Sequence, residues 1–283
     1  MMFTNQEVAR YYELSEVHYR MFWQLEKSRS LHYGLWLPGT KNFHEALLNS
    51  NQILADKAGI KGGENVLDAG CGVGGSSLWL ARERNCTVTG ISLSAKQVAK
   101  ATAFAQEAGL ADRVQFEQRD FMNTGFPDGA FDVVWGMESV CHAPDKGLFL
   151  QEAFRLLKKG GRLVIADFFQ ADGLQGRSAE LVKKFAHSWA VDAFATWKEF
   201  SEQLKAAGFK EIECEDVSKA VQPSVNRLYR YYLLGKPAAL LYRLVKGKPT
   251  ALASNNVESA YLQYVTFKKG WWKYRIVHAV KEE

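Results

Sequence analysis

The 283-residue sequence is poor in several features that mark particular classes of protein. It has four cysteines, which stand far apart and form no C-x-x-C pair, so neither a disulfide framework nor a zinc site is indicated. No apolar run approaches the roughly 20 residues that a membrane-spanning helix needs. The amino-terminal stretch also lacks a basic segment followed by an apolar one, which is the pattern of a secretory signal. We therefore expect a cytoplasmic protein with reduced thiols and no bound metal.

Acidic residues are missing from one long segment. Between Asp216 and Glu258 the sequence has no aspartate or glutamate. The basic residues of this segment are Lys219, Arg227, Arg230, Lys236, Arg243, Lys246 and Lys248. A local basic segment is typical of a solvated helix face, but it also occurs where a protein rests on an anionic membrane or clamps a diphosphate group. It lacks the interleaved aromatic platform of a single-stranded RNA site, so no nucleic-acid partner is predicted.

Hydrophobic periodicity predicts an alternation of strands and helices through the middle of the chain. Strands are predicted at 66–69, 86–91, 113–117, 131–135, 162–168, 209–217 and 274–281, and helices at 4–27, 43–58, 75–84, 94–108, 146–157, 176–207 and 224–269. Alternating strands and helices of this kind form a mostly parallel sheet with helices on both faces. We therefore expect an α/β fold.

The stretch "VLDAGCGVGGSSLWLA" lies between the first predicted strand of the sheet and the next helix, and its Gly70, Gly72 and Gly75 have the spacing G-x-G-x-x-G. A dinucleotide site normally carries an acidic residue about 20 positions after the first glycine, but Ser92 stands there. Asp68, two residues before the turn, suits a cationic or amino-acid group better than a pyrophosphate. A cationic or zwitterionic cofactor is therefore predicted, with an NAD-dependent oxidoreductase as the alternative.

Several motifs resemble those of class I S-adenosylmethionine-dependent methyltransferases. "VLDAGCGVGG" resembles their motif I, and "GISLSAKQ" resembles the second-strand ending of the sterol, tocopherol and cyclopropane-fatty-acid branches. "ESVCHAPDK" is similar to a pattern of sterol C-methyltransferases, and "HYGLW" to a block of tocopherol-type methyltransferases. The resemblance implies a Rossmann-like, seven-stranded sheet, the cofactor S-adenosyl-L-methionine, and methyl transfer to carbon or oxygen of a small lipophilic molecule such as a sterol, an isoprenoid or another natural product.

The same resemblance divides the chain and assigns its cofactor site. The expected divisions are an N-terminal helical cap at 1–60, the methyltransferase core at 61–218, a helical lid insertion at 219–270 and the last core strand at 271–283. The predicted cofactor-binding residues are Asp68, Gly70, Gly72, Gly74, Ser92, Gln97, Asp120 and Phe121. Some of them have a structural alternative: the glycines pack helix on sheet, Gln97 is a solvated helix residue, and Asp120 forms a turn.

Two catalytic candidates, Glu138 and His142, lie in the loop after the fourth predicted core strand, and the third, Asp167, lies at the end of the fifth. If the acceptor is a hydroxyl group, His142 is the natural general base, because its unperturbed pKa lies near neutrality, and Asp167 orients it or binds substrate. If the acceptor is an alkene carbon, Glu138 and aromatic faces such as those of Trp36, Tyr33 and Trp135 stabilise the carbocation. A noncatalytic cofactor-binding protein is the third alternative.

The helical insertion at 219–270 is predicted to act as a lid. Its apolar stripes are formed by Leu228, Tyr231, Tyr232, Leu240, Leu241 and Leu244, and basic residues border them. An inner face of this kind suits an apolar substrate, and the outer face suits peripheral contact with an anionic membrane. Packing of the same helices on their own domain is the structural alternative. The sequence leaves the acceptor and the oligomeric state open.

Overall fold

The computed structural model describes residues 2–23, 25–246 and 251–282, with side chains described outside 16–22 and 236–257. Its centre is a seven-stranded sheet with the strand order β3-β2-β1-β4-β5-β7-β6. The strands are β1 Asn65–Ala69, β2 Thr87–Ser92, β3 Val114–Gln118, β4 Phe131–Met137, β5 Leu157–Gln170, β6 Lys210–Asp216 and β7 Trp272–Val280. Strands β1 to β5 are mutually parallel, and β7 runs antiparallel between β5 and β6. The α/β prediction and the Rossmann-like sheet that the resemblance implied are confirmed.

Ten α-helices surround the sheet in the described part of the chain. They are α1 Asn5–Phe22, α2 Leu25–Ser28, α3 Phe43–Lys57, α4 Gly75–Glu83, α5 Ala95–Glu107, α6 Lys146–Leu156, α7 Gly176–Ser188, α8 Trp197–Ala206, α9 Ser218–Lys246 and α10 Ala251–Lys268. A short 3₁₀ turn, Val140–His142, follows β4. Helices α1 and α2 precede the sheet, and α9 and α10 lie between β6 and β7 along the chain.

Two helix predictions differ from the structure. The continuous helix predicted at 176–207 is interrupted between Ser188 and Trp197, because Ala190 has a φ of 55° and Thr196 forms a capping box with Glu199 that begins α8. The helix predicted from 224 begins six residues earlier, at Ser218. The prediction relied on the 3.6-residue hydrophobic period of a helix. Neither the break after Ser188 nor the start of α9 at Ser218 is marked by that period.

The hydrophobic core lies on both faces of the sheet. Successive residues of β1 alternate between the two faces, with Val66 in one buried cluster and Leu67 in the other. The cluster on the first face contains a closely packed aromatic group, formed by Tyr33, Phe168, Phe185, Phe194, Trp272 and Tyr274. This group anchors β5, β7 and α7 behind the loop that follows β4.

The sheet also determines where a ligand can bind. Strand β1 is flanked by β2 on one side and β4 on the other, so the strand order reverses there. Ligands of open α/β sheets bind in the crevice beyond the carboxyl ends of the strands at such a switch point. The residues after Ala69, Ser92 and Met137 therefore face one crevice. Among the described residues, no helix is long and apolar enough to cross a membrane.

The insertion between β6 and β7 packs on the core through its described side chains. Val221, Val225 and Leu228 of α9 are buried, and α10 packs on α7. The rings of Tyr229 and Tyr264 stack with their centroids 3.9 Å apart, which joins the two helices. The predicted stripe residues Leu240, Leu241 and Leu244 and the basic residues Lys236, Arg243, Lys246 and Lys248 lie outside the described side chains.

Candidate active site

A cavity opens at the carboxyl ends of β1, β2 and β4, and α1 covers it with Val8, Ala9 and Tyr12. Most of the predicted site residues line it: Asp68, Gly70, Gly72, Ser92, Gln97, Phe121, Glu138 and His142. Gly74, Asp120 and Asp167 are absent from the described lining. The cavity is continuous from Phe121 to His142, so a single elongated ligand can contact both the predicted cofactor residues and the predicted catalytic residues.

The three predicted glycines of the turn have different surroundings. All three have positive φ angles, which glycine adopts without strain. A Cβ atom on Gly70 would lie 2.3 Å from Cβ of Ser139, and one on Gly74 would lie 2.6 Å from the Phe116 ring. A Cβ on Gly72 would meet only the Leu31 side chain, at 3.3 Å. Gly70 and Gly74 therefore permit close packing, whereas the main constraint on Gly72 is its backbone conformation beside the cavity.

Asp68 is the acidic residue of the cavity nearest to the turn in sequence. Its side chain is buried, and Oδ2 accepts a hydrogen bond of 2.6 Å from the Ser77 hydroxyl group. Burial raises the pKa of the Asp68 carboxyl to about 6 despite that hydrogen bond. A cationic group of a ligand placed beside it would restore its preference for the ionised form.

Ser92 and Gln97 form a joined polar pair at the end of β2. The Ser92 hydroxyl donates to Oε1 of Gln97 over 2.7 Å, and Ser94 caps α5 between them. The Ser94 hydroxyl in turn donates to Glu13 of α1 over 3.1 Å. Gln97 is therefore held in the cavity wall by a specific contact, which a fully solvated helix residue would not have.

Asp120 and Phe121 follow β3, but only Phe121 lines the cavity. The Asp120 carboxylate accepts from the Met122 N–H group over 2.8 Å and from the Asn5 side-chain amide over 2.7 Å. The first contact is that of a turn-forming aspartate, and the second connects the turn to α1. Phe121 contacts Phe149 edge-on, with their ring centroids 5.2 Å apart.

Glu138 begins the loop after β4 with a φ of 50°, a strained value for a non-glycine residue. Its Oε1 atom accepts from the Tyr33 N–H group over 2.6 Å and from the Tyr274 hydroxyl over 2.7 Å. Burial nevertheless raises the pKa of Glu138 to about 8, and the nearby Asp167 carboxylate adds to the shift. At neutral pH, the protonated carboxyl group therefore predominates.

The His142 side chain is fixed through both ring nitrogens. Nδ1 lies 3.2 Å from the Ala190 carbonyl oxygen, and Nε2 lies 2.8 Å from the Tyr12 hydroxyl. Because a carbonyl oxygen only accepts, Nδ1 carries the proton in the neutral ring, and Nε2 accepts from Tyr12. Burial lowers the pKa of His142 to about 4. The imidazole is therefore neutral at physiological pH, with its basic nitrogen directed at Tyr12.

Asp167 lies at the end of β5, behind the loop, and is almost completely buried. Its carboxylate accepts from the Cys141 N–H group over 2.8 Å and from the Phe168 N–H group over 2.8 Å. Asp167 thus contacts the backbone of the turn that carries His142, and both of these N–H donors belong to the backbone and not to the imidazole ring. Burial raises the pKa of Asp167 to about 6.

Tyr12 and His32 are two of the cavity residues that the sequence analysis did not single out. Tyr12 lies on α1, in a stretch without a motif, and only the folded chain brings it to His142. His32 lies in the "HYGLW" block, which the resemblance had already marked. Its Nδ1 lies 2.8 Å from the Tyr33 carbonyl oxygen, and Nε2 is buried with no partner among the described residues. Burial lowers the pKa of His32 to about 4.

The aromatic residues considered for cation stabilisation do not surround the cavity. The Trp36 indole donates to the Ser224 hydroxyl over 3.0 Å, and Trp135 is fully buried. Neither is among the described lining residues. Tyr33 contacts Glu138 through its backbone, while its ring belongs to the buried aromatic group.

Comparison with known proteins bears on what such a cavity binds. Residues 67–165 match a family model described as "Methyltransferase domain". The chain is 36% identical over 195 residues to 27-O-demethylrifamycin SV methyltransferase of Amycolatopsis mediterranei, covering 69% of this chain and 72% of that one. It is 38% identical over 187 residues to 2-methyl-6-phytyl-1,4-hydroquinone methyltransferase of Synechocystis, covering 64% and 58%.

A solved structure extends the similarity to the whole fold. The crystal structure of the cyclase SpnF is similar with a TM-score of 0.79 and 26% identity, covering 100% of this chain and 97% of that one. The similarity therefore includes α1 and the insertion before β7, which lie outside the matched family segment.

Proposed function

The chain belongs to the S-adenosylmethionine-dependent methyltransferases, and on that premise we propose that it methylates a hydroxyl group of a small lipophilic molecule, with His142 as the general base. The observation that supports this choice is the fixed imidazole, which has Nδ1 at a carbonyl oxygen and Nε2 at the Tyr12 hydroxyl. This arrangement presents a neutral base in the same cavity as the cofactor residues.

The residues of the cavity fit the cofactor. S-Adenosylmethionine supplies a methyl group that its sulfonium centre has already activated. Asp68 and the open backbone at Gly72 would hold the cationic amino-acid end, and the Ser92–Gln97 pair would hold the ribose hydroxyls. Phe121 would lie against the adenine. Asp120 is the neighbour of Phe121 in the chain but lies outside the described lining, so it would accept from the adenine amino group only where the ligand extends past Phe121. The continuous lining from Phe121 to His142 supports this placement.

The chain's own contribution to the reaction is to position the acceptor and remove its proton. The proton of the acceptor hydroxyl moves to the Tyr12 hydroxyl, whose own proton passes to Nε2 of His142. The hydroxyl proton becomes strongly acidic as its oxygen bonds to the methyl group, so a base of low pKa suffices. Positioning supplies up to about 7–11 kcal/mol of the barrier in favourable cases, and general-base catalysis contributes roughly 10²–10⁴-fold.

Methylation of an alkene carbon is the second candidate, and Glu138 is the residue that favours it. Its carboxyl group lies in the cavity and is held by Tyr33 and Tyr274. An anionic carboxylate there would stabilise a carbocation, but burial favours its protonated form. Burial of Glu138 and His142 in a fixed contact away from any cavity would favour the noncatalytic alternative, whereas both residues line this cavity.

Two matched variants separate these candidates. The rate of isotopic methyl transfer to a lipophilic metabolite extract is compared for wild type, His142→Gln and Glu138→Gln, with the affinity for S-adenosylhomocysteine as the control. We expect His142→Gln to lose roughly 10²–10⁴ in rate with its cofactor affinity unchanged. A greater loss in Glu138→Gln would reverse the assignment in favour of an alkene acceptor.

We also propose that the helical insertion at 219–270 forms a lid over the acceptor. The outer face of this lid would rest on an anionic membrane. Leu233 and Leu234 are exposed beside the exposed Arg230, which supports peripheral contact. Sedimentation with neutral and with anionic vesicles, at low and high salt, tests the membrane contact, and failure to pellet with either would remove it. Tyr231→Ala and Tyr232→Ala test the lid, and an unchanged affinity for a lipophilic acceptor would remove that role.

A further inference from the structure

Lys146 is a half-buried lysine that the reaction described above does not use. It is the first residue of α6, and its side chain turns back towards the loop before the helix. Its ammonium group donates to the carbonyl oxygens of Cys141, Ala143 and Ala193 over 3.0, 2.7 and 3.2 Å. An ammonium group has three donors, so these contacts account for all of them.

The three carbonyl groups belong to the two backbone segments that hold His142. Cys141 and Ala143 are the immediate neighbours of His142 along the loop. Ala193 lies in the connection between α7 and α8, and the same connection carries the Ala190 carbonyl that binds Nδ1 of His142. The ammonium group of Lys146 therefore joins the segment that carries the imidazole to the segment that orients it.

We propose that Lys146 is a positioning residue for His142: its ammonium group holds the two segments together and places a positive charge near the ring, which disfavours the imidazolium form. The proposal deepens the proposed function and rests on His142 as the base. Two effects are expected from one group. The geometric effect keeps Nε2 directed at Tyr12, and the electrostatic effect opposes protonation of the ring.

The charged and titratable groups around His142 come from several elements. Tyr12 of α1 contacts Nε2. Asp192, in the connection between α7 and α8, favours the protonated ring, and Lys146 of α6 opposes it. The Asp167 carboxylate contacts the loop at Cys141, one residue away from His142. Lys146 thus offsets the acidic group on this side of the cavity and adds to the effect of burial, which is the largest cause of the lowered pKa of His142.

The direct test is an NMR titration of the protein labelled in its histidine rings, with the His142 signal assigned from His142→Gln. Wild type is compared with Lys146→Met, which removes the charge and the donors, and with Lys146→Gln, which removes the charge but keeps a donor. Lys146→Arg retains the charge, and Lys183→Met, on the exposed face of α7, is the control. Lys146→Gln also provides a measurement if Lys146→Met fails to fold.

We expect both neutral variants to raise the pKa of His142 by about one unit, and Lys146→Arg and Lys183→Met to leave it unchanged. The acidic limb of the kcat profile should move to higher pH by the same amount, because the base must be unprotonated. Lys146→Met should also lower kcat about tenfold more than Lys146→Gln, with the same KM for the cofactor. A fall in kcat at every pH without a shift in the His142 titration would overturn the electrostatic role, and unchanged kinetics would overturn the geometric one.

The titration also distinguishes this proposal from the proposed function. If the pKa of His142 rises in Lys146→Gln while His142→Gln retains full activity, Lys146 controls the ring as proposed and the general-base assignment is wrong. If His142→Gln is inactive and the His142 titration is the same in all Lys146 variants, the base assignment stands and this inference is wrong.

Discussion

The backbone N–H group of Tyr33 donates to Oε1 of Glu138 over 2.6 Å, while the hydroxyl group of the same tyrosine donates to Oε1 of Gln263 on α10. Gln263 is completely buried and also donates from its amide group to the Val225 carbonyl of α9. Tyr33 therefore connects the carboxyl group in the cavity to α10 directly and to α9 through Gln263.

The raised pKa of Glu138 predicts a pH-dependent preference between the two forms of the cofactor. Glu138 becomes anionic as the pH rises through about 8, and an anionic carboxylate attracts the sulfonium of S-adenosylmethionine but not the neutral sulfur of S-adenosylhomocysteine. As the pH rises from 6.5 to 9, calorimetry should show that the ratio of the affinity for S-adenosylmethionine to that for S-adenosylhomocysteine increases by up to roughly tenfold. In Glu138→Gln the ratio should be constant, and the same rise in that variant would exclude Glu138 as its source.

Asp68→Asn should weaken cofactor binding without unfolding the protein. The amide oxygen can still accept from Ser77, but the negative charge beside the amino-acid end of the cofactor is lost. We expect about a 10- to 100-fold loss of affinity for S-adenosylhomocysteine in calorimetry. In wild type, affinity should fall as the pH drops through about 6, where Asp68 becomes protonated. Asp112→Asn, on an exposed turn, is the matched control, and equal affinities for all three proteins would remove Asp68 from the site.

Two alanine substitutions in the glycine turn should have different main effects, one on stability and the other on cofactor affinity. Gly70→Ala places a Cβ atom 2.3 Å from Ser139, so it should mainly lower the melting temperature. Gly72→Ala meets only a flexible leucine and costs about 1–2 kcal/mol for its positive φ, so its principal effect should be on cofactor affinity. Thermal unfolding and a titration with S-adenosylhomocysteine measure both quantities. A larger fall in melting temperature for Gly72→Ala than for Gly70→Ala would contradict the packing role of Gly70.

Helix α1 should control the release of the cofactor, because it covers the cavity and its Asn5 amide is bonded to Asp120. Asn5→Ala removes one hydrogen bond of about 0.5–1.5 kcal/mol. We expect S-adenosylhomocysteine to dissociate roughly 2- to 10-fold faster in stopped-flow measurements, by the conversion of that energy into a rate. Gln6→Ala, on the exposed neighbouring position, provides the control. Equal dissociation rates in both variants would show that α1 does not restrain the ligand through Asn5.

The sequence predicted the sheet and most of the cavity because those features depend on local pattern. The residues that follow β1, β2 and β4 had to meet at one edge of a parallel sheet, so Asp68, Ser92 and Glu138 could be placed together before the fold was known. The protonation states could not be predicted in this way. They depend on burial and on partners distant in sequence, such as Tyr274 at Glu138.

The contacts of Tyr12 and Asp167 show the same limit. Tyr12 lies 130 residues from His142 in sequence, and no spacing rule connects them. Asp167 was expected to orient His142 or to bind substrate, and its contact with the Cys141 N–H group holds the backbone of the turn that carries His142. Which group of the loop a buried carboxylate contacts depends on the path of the backbone, and the residue types alone do not determine it.

The position of the transferred methyl group tests the central claim most directly. The enzyme is incubated with S-adenosylmethionine carrying a ¹³C-labelled methyl group and a panel of lipophilic phenols, alcohols and alkenes, and NMR of the products identifies the atom that bears the label. The account predicts a label on oxygen, formed by wild type and lost in His142→Gln. A label on carbon, formed equally by wild type and His142→Gln and lost in Glu138→Gln, would contradict it.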